Sequence, residues 1–285
     1  MTKLKVAVIG LGRLGLACAE ALIDDAELGL AGVVRRPGAP AALPGRLQRY
    51  PVVSHVRELD GVRAALVCVP AEAVLGVARE LLQARMPVVE CACLEGQALE
   101  AHHAALDEAA DNHRVAAVVG AGWDPGVLPL LRSAFEMLIP RGHTALHRHP
   151  GLHLHHSAAV AGVPGVKGAL AGEYRGDNQA LQHYVYVELE RGAEWAQVQA
   201  AIAADPLFAG EVVQVFQVAH LSELEGKDGL GVVLDRRGNA PHGPHQSLLL
   251  EARFDVNAFS ARVMLDAARK LPALRRGAHR YAVGL

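Results

Sequence analysis

The sequence predicts an α/β protein: a doubly wound parallel sheet, followed by a second α+β domain built on a mixed or antiparallel sheet. Three observations predict it. An apolar run, Val6-Ala-Val-Ile9, opens into Gly10-x-Gly12-x-x-Gly15 and then into a helical pattern from Leu14 to Ile23. Up to about residue 120, short apolar runs alternate with helical segments, the pattern of parallel strands with helices on both faces. After that, segments alternate apolar and polar residues, as antiparallel strands with one solvated face do.

The glycine spacing carries the most chemistry. After a strand and before a helix, the first glycine makes a tight turn. The second lets backbone approach a pyrophosphate, and the third lets helix pack on strand. The pyrophosphate then sits on the helix N-terminus, where N–H groups and the dipole favour an anion. Gly10, Gly12, Arg13, Leu14 and Gly15 are therefore expected to hold a dinucleotide in a Rossmann-like arrangement, with Val69 and Pro70 beside it. The second strand, Gly29-Leu-Ala-Gly-Val-Val34, runs into Arg35-Arg36, with no acid until Glu58. An acid at that strand end suits the ribose hydroxyl of NAD, whereas arginines accommodate the 2′-phosphate of NADP. Two guanidiniums offer charge and bidentate hydrogen bonds, so NADP is expected. The bland alternative is a pair of solvated surface arginines.

The remaining elements follow in order. Ala64–Val69 reads as a buried strand, Glu72–Ala84 as a helix and Pro87–Ala92 as a strand; Glu100–Asn112 is then a helix and Val115–Val119 a strand. Ligands of such sheets bind beyond the carboxyl ends of the strands, which directs attention to Pro70-Ala71, Glu90-Cys91 and Gly120–Asp124. Asp124-Pro-Gly126 leads into a helix to about Leu138. Tyr184–Leu189, Glu211–Phe216 and Gln246–Arg253 read as one antiparallel sheet, covered by a helix over Glu194–Ala204. Asn257–Leu271 is a long helix with apolar spacing. The domains expected are 1–121, to which 257–285 returns, and a substrate and dimerisation domain over 122–256.

Composition excludes several classes. The chain has 285 residues and a formal net charge of −2, which suits two domains and suggests neither nucleic acid nor membrane as partner. No apolar run reaches the about 18 residues of a transmembrane helix, and the N-terminus enters a strand directly, with no signal peptide expected. The four cysteines, Cys18, Cys68, Cys91 and Cys93, lie in apolar surroundings and read as reduced thiols of a cytoplasmic protein. Six histidines crowd one segment: His143, His147, His149, His153, His155 and His156. Pairs two residues apart share a face of extended chain and can bind a transition metal. No cysteine or carboxylate ligand accompanies them, so no metal site is expected.

Gly122-Trp-Asp-Pro-Gly126 is the second signal. Asp before Pro is a good helix start, the carboxylate capping and the proline pre-set at the first helical position. Equally, an acid beside a tryptophan past a sheet strand suits a substrate pocket. There Asp124 can accept hydrogen bonds from an ammonium group, or take its proton before hydride leaves the adjacent carbon.

The chain resembles the meso-diaminopimelate dehydrogenase family over nearly its whole length. The resemblance rests on Gly120–Gly126, on Pro150–Ser157 with Gly162–Lys167, on Asp205–Phe208, and on Ala240–His245. It implies a dinucleotide-binding domain joined to a substrate and dimerisation domain. The implied reaction is NADP-dependent oxidation of an amino centre of D configuration to an imine, which hydrolysis releases as ammonia. The family places its Trp and Asp at the reacting end, hence Trp123 and Asp124, and its His-Gly-x-His element near the distal end, hence His242 and His245. His156 and Ser157 match a family His-Ser pair, and Asn257 falls at a substrate-binding asparagine.

Departures stand beside the matches. A family run of aspartates reads Glu90-Cys91-Ala92-Cys93 here, so Glu90 is expected to replace one carboxylate. A threonine that holds the distal carboxylate falls near Glu173, and an arginine with that task near Gln182-His183. The nicotinamide machinery thus survives better than the diaminopimelate clamp. The expectation is a cytoplasmic, homodimeric NADP-dependent oxidoreductase of a CH–NH₂ centre, with an amino acid or amine as substrate. The rivals are a reductase of a smaller imine or ketone, and a non-catalytic NADPH sensor or histidine-rich metal-binding protein.

Overall fold

The computed structural model describes residues 3–38, 42–150, 154–175, 181–210, 212–221, 230–239 and 246–282. The chain divides into two compact units, Met1–Leu131 with Val256–Leu285, and Arg132–Asp255.

In the first unit, β1 (Leu4–Ile9), α1 (Arg13–Asp24), β2 (Leu28–Val34), β3 (Val52–Val53) and β4 (Ala64–Val67) are followed by α2 (Ala71–Gln83), β5 (Val88–Glu90), α3 (Gly96–His113) and β6 (Ala116–Val119). After a wide π-turn at Trp123–Val127 comes α4 (Leu128–Leu138), whose residues from Arg132 onward belong to the second unit. The seven strands order as β13-β6-β5-β4-β1-β2-β3, all parallel, where β13 is Gly277–Arg280. Strand order reverses direction between β1 and β4, which opens a crevice at the carboxyl edge of the sheet.

Period-two alternation explains the two layers of helices. Val6 and Val8 of β1 point into one core with Leu66 and Val118, against Leu22 of α1 and Met264 of the late helix described below. Ala7 and Ile9 point the other way, into a second core with Val67, Val119, Leu82 of α2 and Leu106 of α3. Both faces are apolar, as a sheet buried on both sides requires. Each fully buried Leu or Met contributes about 1.5–3 kcal/mol.

The second unit carries β7 (Gly142–Pro150), α5 (Leu154–Ala161), β8 (Val166–Arg175), β9 (Leu181–Leu189), α6 (Trp195–Ala203), β10 (Val212–Val218), β11 (Leu230–Gly238) and β12 (Ser247–Phe254). The last α-helix, α7 (Val256–Lys270), returns to the first unit. The three alternating segments predicted to make one antiparallel sheet lie in two. β8 and β9 pair antiparallel and β9 and β10 pair parallel, while β12 joins β11 and β7 in a separate antiparallel sheet. The reason is the connection: α6 lies between β9 and β10, and a helical crossover delivers the next strand parallel. Alternation was correctly read on β9, where Val185 and Val187 are buried with Val198 and Ile202 of α6. Tyr184 and Tyr186 are only half-buried, and Phe216 of β10 sits against both.

Candidate active site

The glycine loop lies where strand order reverses. Gly10 has φ +91°, open to glycine alone without strain, and a Cβ there would sit 2.7 Å from the Cys68 carbonyl oxygen. A Cβ on Gly15 would collide with the Gly10 carbonyl, so glycine there lets α1 begin directly on β1. A Cβ on Gly12, by contrast, meets nothing within 4 Å. The loop is therefore tight underneath and open on top, and no side chain caps the first turn of α1. That is the shape and the charge a pyrophosphate needs.

Above it lies a cavity of about 650 Å³. Gly10 and Gly12, Arg35 and Arg36, and Val69 and Pro70 line it. Arg13, Leu14 and Gly15 instead form the first turn of α1 below. The residues present fit a phosphorylated dinucleotide: free amides, a backbone surface without side chains, and guanidiniums at the end of β2.

A second loop leaves the end of β6. Gly120 has φ +73°, and its N–H donates to Glu90 Oε1 at 2.9 Å. Glu90 Oε2 accepts from the Ala92 N–H at 2.5 Å, and the Ala121 N–H donates to the Glu90 carbonyl at 2.8 Å. His102 of α3 brings Nε2 to 3.4 Å from Glu90 Oε1. Glu90, read from sequence as a catalytic carboxylate, is wholly buried, and its side chain bonds the ends of β5 and β6 together. The Trp123 N–H donates to Ser260 Oγ of α7 at 3.1 Å, and the indole packs edge-on against Phe259 with centroids 5.2 Å apart. Asp124 follows, half-buried, in the first turn of the π-helix. The turn is capped by Gly122, not by Asp124, because the Val127 N–H reaches back five residues to the Gly122 carbonyl at 3.0 Å.

Cys91 packs against Gly122, where even a Cβ would overlap its sulfur. Its thiol is pushed up to about 12, first by burial and then by the negative charge of Glu90, with Asp124 adding to it. Beside Asp124 the protein thus holds a neutral thiol. Asn257 lies in the first turn of α7, half-buried.

Within the second unit, His156 of α5 stacks on His183 of β9 with centroids 5.0 Å apart and also meets Phe208. Ser157 is wholly buried and its Oγ accepts the Ala171 N–H at 2.8 Å, which pins α5 to β8. Glu173 stands opposite His183 in the β8–β9 register. Gln182 accepts from the Tyr184 hydroxyl at 3.4 Å. His242 and His245 lie outside the described residues. Among the described residues, no three His, Cys, Asp or Glu side chains are grouped to hold a metal ion.

No domain-family profile matches the chain. The meso-diaminopimelate D-dehydrogenase of Bacteroides fragilis is 33% identical over 94% of this chain and 89% of its own length. The chain belongs to the meso-diaminopimelate D-dehydrogenase family. The enzyme of that name from Acetivibrio thermocellus is 24% identical over 94% of this chain and 87% of its own. Among solved structures, the C. glutamicum DAP dehydrogenase in complex with DAP covers 98% of this chain and 93% of its own, with a TM-score of 0.61 and 20% identity. An engineered D-amino acid dehydrogenase bound to NADP+ overlays with a TM-score of 0.60 at 21% identity over the same shares, 98% and 93%.

Sequence reasoning missed Ser54, His55 and Arg57, which line the nucleotide cavity. Their signal was present: Ser54-His55-x-x-Glu58 is a helix-start pattern at the end of a strand. It also missed Ser260 and Phe259, which brace Trp123 from a helix more than a hundred residues away.

Proposed function

We propose that the protein is an NADP-dependent oxidoreductase that deaminates a CH–NH₂ centre reversibly, with Asp124 orienting and deprotonating the reacting amine beside Trp123. The observation that supports it best is one sheet carrying two loops on its carboxyl edge. One exposes bare backbone and arginines to a phosphorylated dinucleotide, and the other presents a carboxylate from a braced turn. A bound NADP⁺ supplies the hydride acceptor. Gly10, Gly12, Gly15 and the first amides of α1 would hold its pyrophosphate, and Arg35 and Arg36 its 2′-phosphate. An amine must be neutral at nitrogen before hydride leaves its carbon, and Asp124 is the acceptor for that proton. Glu90 is assigned to holding the loop that carries Asp124. His156, Gln182, Glu173 and Asn257 remain assigned to the substrate's surroundings, whereas the buried Ser157 is assigned to holding α5 on β8.

Glu173 and Gln182 stand where a distal carboxylate would need a threonine and an arginine, which favours a smaller substrate, including an imine or ketone taken in the reductive direction. Monitoring NADPH absorbance with NADP⁺ and meso-diaminopimelate, then with D- and L-amino acids and simple amines, tests the reading. Turnover of any of these upholds the reaction class, and the best substrate fixes the specificity. Silence with all of them, together with reduction of cyclic imines or ketones by NADPH, would move the protein to the reductases.

We place it in the cytoplasm as a homodimer. All four cysteines are free thiols, and the outward face of β9 and β10 presents Tyr184, Tyr186 and Phe216 with an exposed Val212. A monomeric mass at micromolar concentration would remove the dimer.

A further inference from the structure

The nucleotide cavity has a wall that the glycine motif and the Arg35-Arg36 pair do not explain. β3 pairs with β2 through Val33↔Val52 and Val34↔Val53, and the Arg35 N–H donates to the Val53 carbonyl at 2.9 Å. That bond fixes the segment just after β3 beside the arginine pair. The residues there, Ser54, His55 and Arg57, face the same cavity as Arg35 and Arg36. α2 contributes Glu72 and Glu80 to the same lining. The guanidiniums attract a phosphate and the carboxylates repel it, so it is favoured beside the former.

The turn after β3 is held by its own hydrogen bonds. The His55 N–H donates to Glu58 Oε1 at 2.7 Å, and the Ser54 hydroxyl donates to the same oxygen at 3.0 Å. The Arg57 N–H donates to His55 Nδ1 at 3.1 Å. A ring nitrogen that accepts carries no proton, so in the neutral imidazole the proton is on Nε2, which is left as a donor. Glu58 is consumed in holding the turn, so its charge is tied to backbone and hydroxyl donors on the side of the turn. Arg57, on an exposed single turn of 3₁₀-helix, adds a third guanidinium to the pair at the end of β2.

We infer that Arg57 and His55 form a second clamp for the cofactor's 2′-phosphate, beside Arg35 and Arg36, and so determine the preference for NADP over NAD. The inference rests on the NADP reading above. The segment after β3 lies next to the one after β2, so Arg57 adds a third fork-shaped guanidinium for the same phosphate, and a fork binds it better than an ammonium group does.

The test is nucleotide affinity, measured by titration calorimetry with NADPH and with NADH on the whole protein, without turnover. Arg57→Ala is expected to weaken NADPH about tenfold and leave NADH unchanged. Arg57→Lys, which keeps charge but not the fork, should recover part of the loss. His55→Ala removes the cap as well as the donor, so His55→Asn is the sharper variant. Its side-chain oxygen still caps the turn, while the donor retreats from the cavity, and a selective loss of about threefold is expected. Arg35→Ala serves as the internal standard, with a selective loss of tenfold or more. If wild-type protein does not prefer NADPH over NADH, the NADP reading itself is wrong and the clamp goes with it. If wild type prefers NADPH and Arg35→Ala abolishes that preference while Arg57→Ala leaves it intact, only the clamp is overturned. Equal losses for both nucleotides in Arg57→Ala would overturn it too, since they would mark a disturbed adenosine site rather than a lost phosphate contact.

Discussion

Two loops leave the same edge of one parallel sheet and do opposite things with similar residues. Gly10–Gly15 follows β1, Gly120–Gly126 follows β6, and each begins a helix after a glycine with positive φ. Around the first, side chains are absent on the open side, so its backbone is available to a ligand. Around the second, Glu90 and Ser260 take two of its N–H groups, and Phe259 backs its tryptophan. A loop that binds through backbone must stay bare. A loop that presents one carboxylate has to be held from below, because misplacement by about 1 Å can cost on the order of a hundredfold in rate.

The largest effect should therefore come from the presented carboxylate. Asp124→Asn keeps shape and removes the base, and kcat/KM should fall about a thousandfold, within the range for general acid–base catalysis. NADPH affinity should stay within twofold of wild type, since no part of the first loop changes. Activity within tenfold of wild type would show that the second loop carries no base, and that the comparison between the loops is misdrawn.

The first loop breaks in two different ways, which separates packing from ligand approach. Gly15→Ala puts a methyl into the Gly10 carbonyl, and neither backbone can yield cheaply. Overpacking of this kind costs about 1–3 kcal/mol, so thermal stability and NADPH affinity should fall together, the affinity by about ten- to a hundredfold. Gly12→Ala adds its methyl to open space. Its melting temperature should match wild type while affinity drops, because the methyl stands where the pyrophosphate approaches. A stable Gly15→Ala protein with normal affinity would refute the tight-below, open-above description.

The same contrast explains what could be read from sequence. The first loop is local: its meaning lies in glycines a few residues apart between a strand and a helix, and those spacings survive without knowledge of neighbours. The alternation of strands and helices up to residue 120 is likewise local, and the parallel sheet follows from it. The second loop is built from distance. Glu90 bonds a residue 30 positions away, and Ser260 one 137 positions away. Glu90 looked like a reacting carboxylate because its residue type suits that work, and nothing in its neighbours announces total burial. β9 and β10 were legible as strands but not as parallel partners, since a period of two reports faces and never neighbours. Ser54-His55-x-Arg57-Glu58 announced a capped turn, but its place beside Arg35 depends on β2–β3 pairing, which two short valine pairs do not advertise.

The smallest effect concerns the connection between the loops. α1 starts at the first loop, α7 supplies Ser260 and Phe259 to the second, and Asp25 at the end of α1 pairs with Arg269 near the end of α7. Asp25 also accepts the Glu27 and Leu28 N–H groups at 2.9 and 2.8 Å. Burial alone would raise its pKa. The two N–H groups and the Arg269 guanidinium outweigh burial and hold the carboxyl below the usual range. A depressed folded-state value means that ionised Asp25 stabilises the fold at every pH above its unfolded value of about 3.9, and that this stabilisation is lost as pH falls through the folded value. Asp25→Asn removes the charge and keeps the shape. At neutral pH it should lose about 1.5–3 kcal/mol, the scale of hydrogen bonds to a charged group. In chemical denaturation the gap between wild type and variant should stay constant from pH 8 to about pH 5 and shrink below about pH 4. A gap that persists undiminished into acid would mean that the variant fails through packing, and that α1 and α7 are joined by their apolar faces alone.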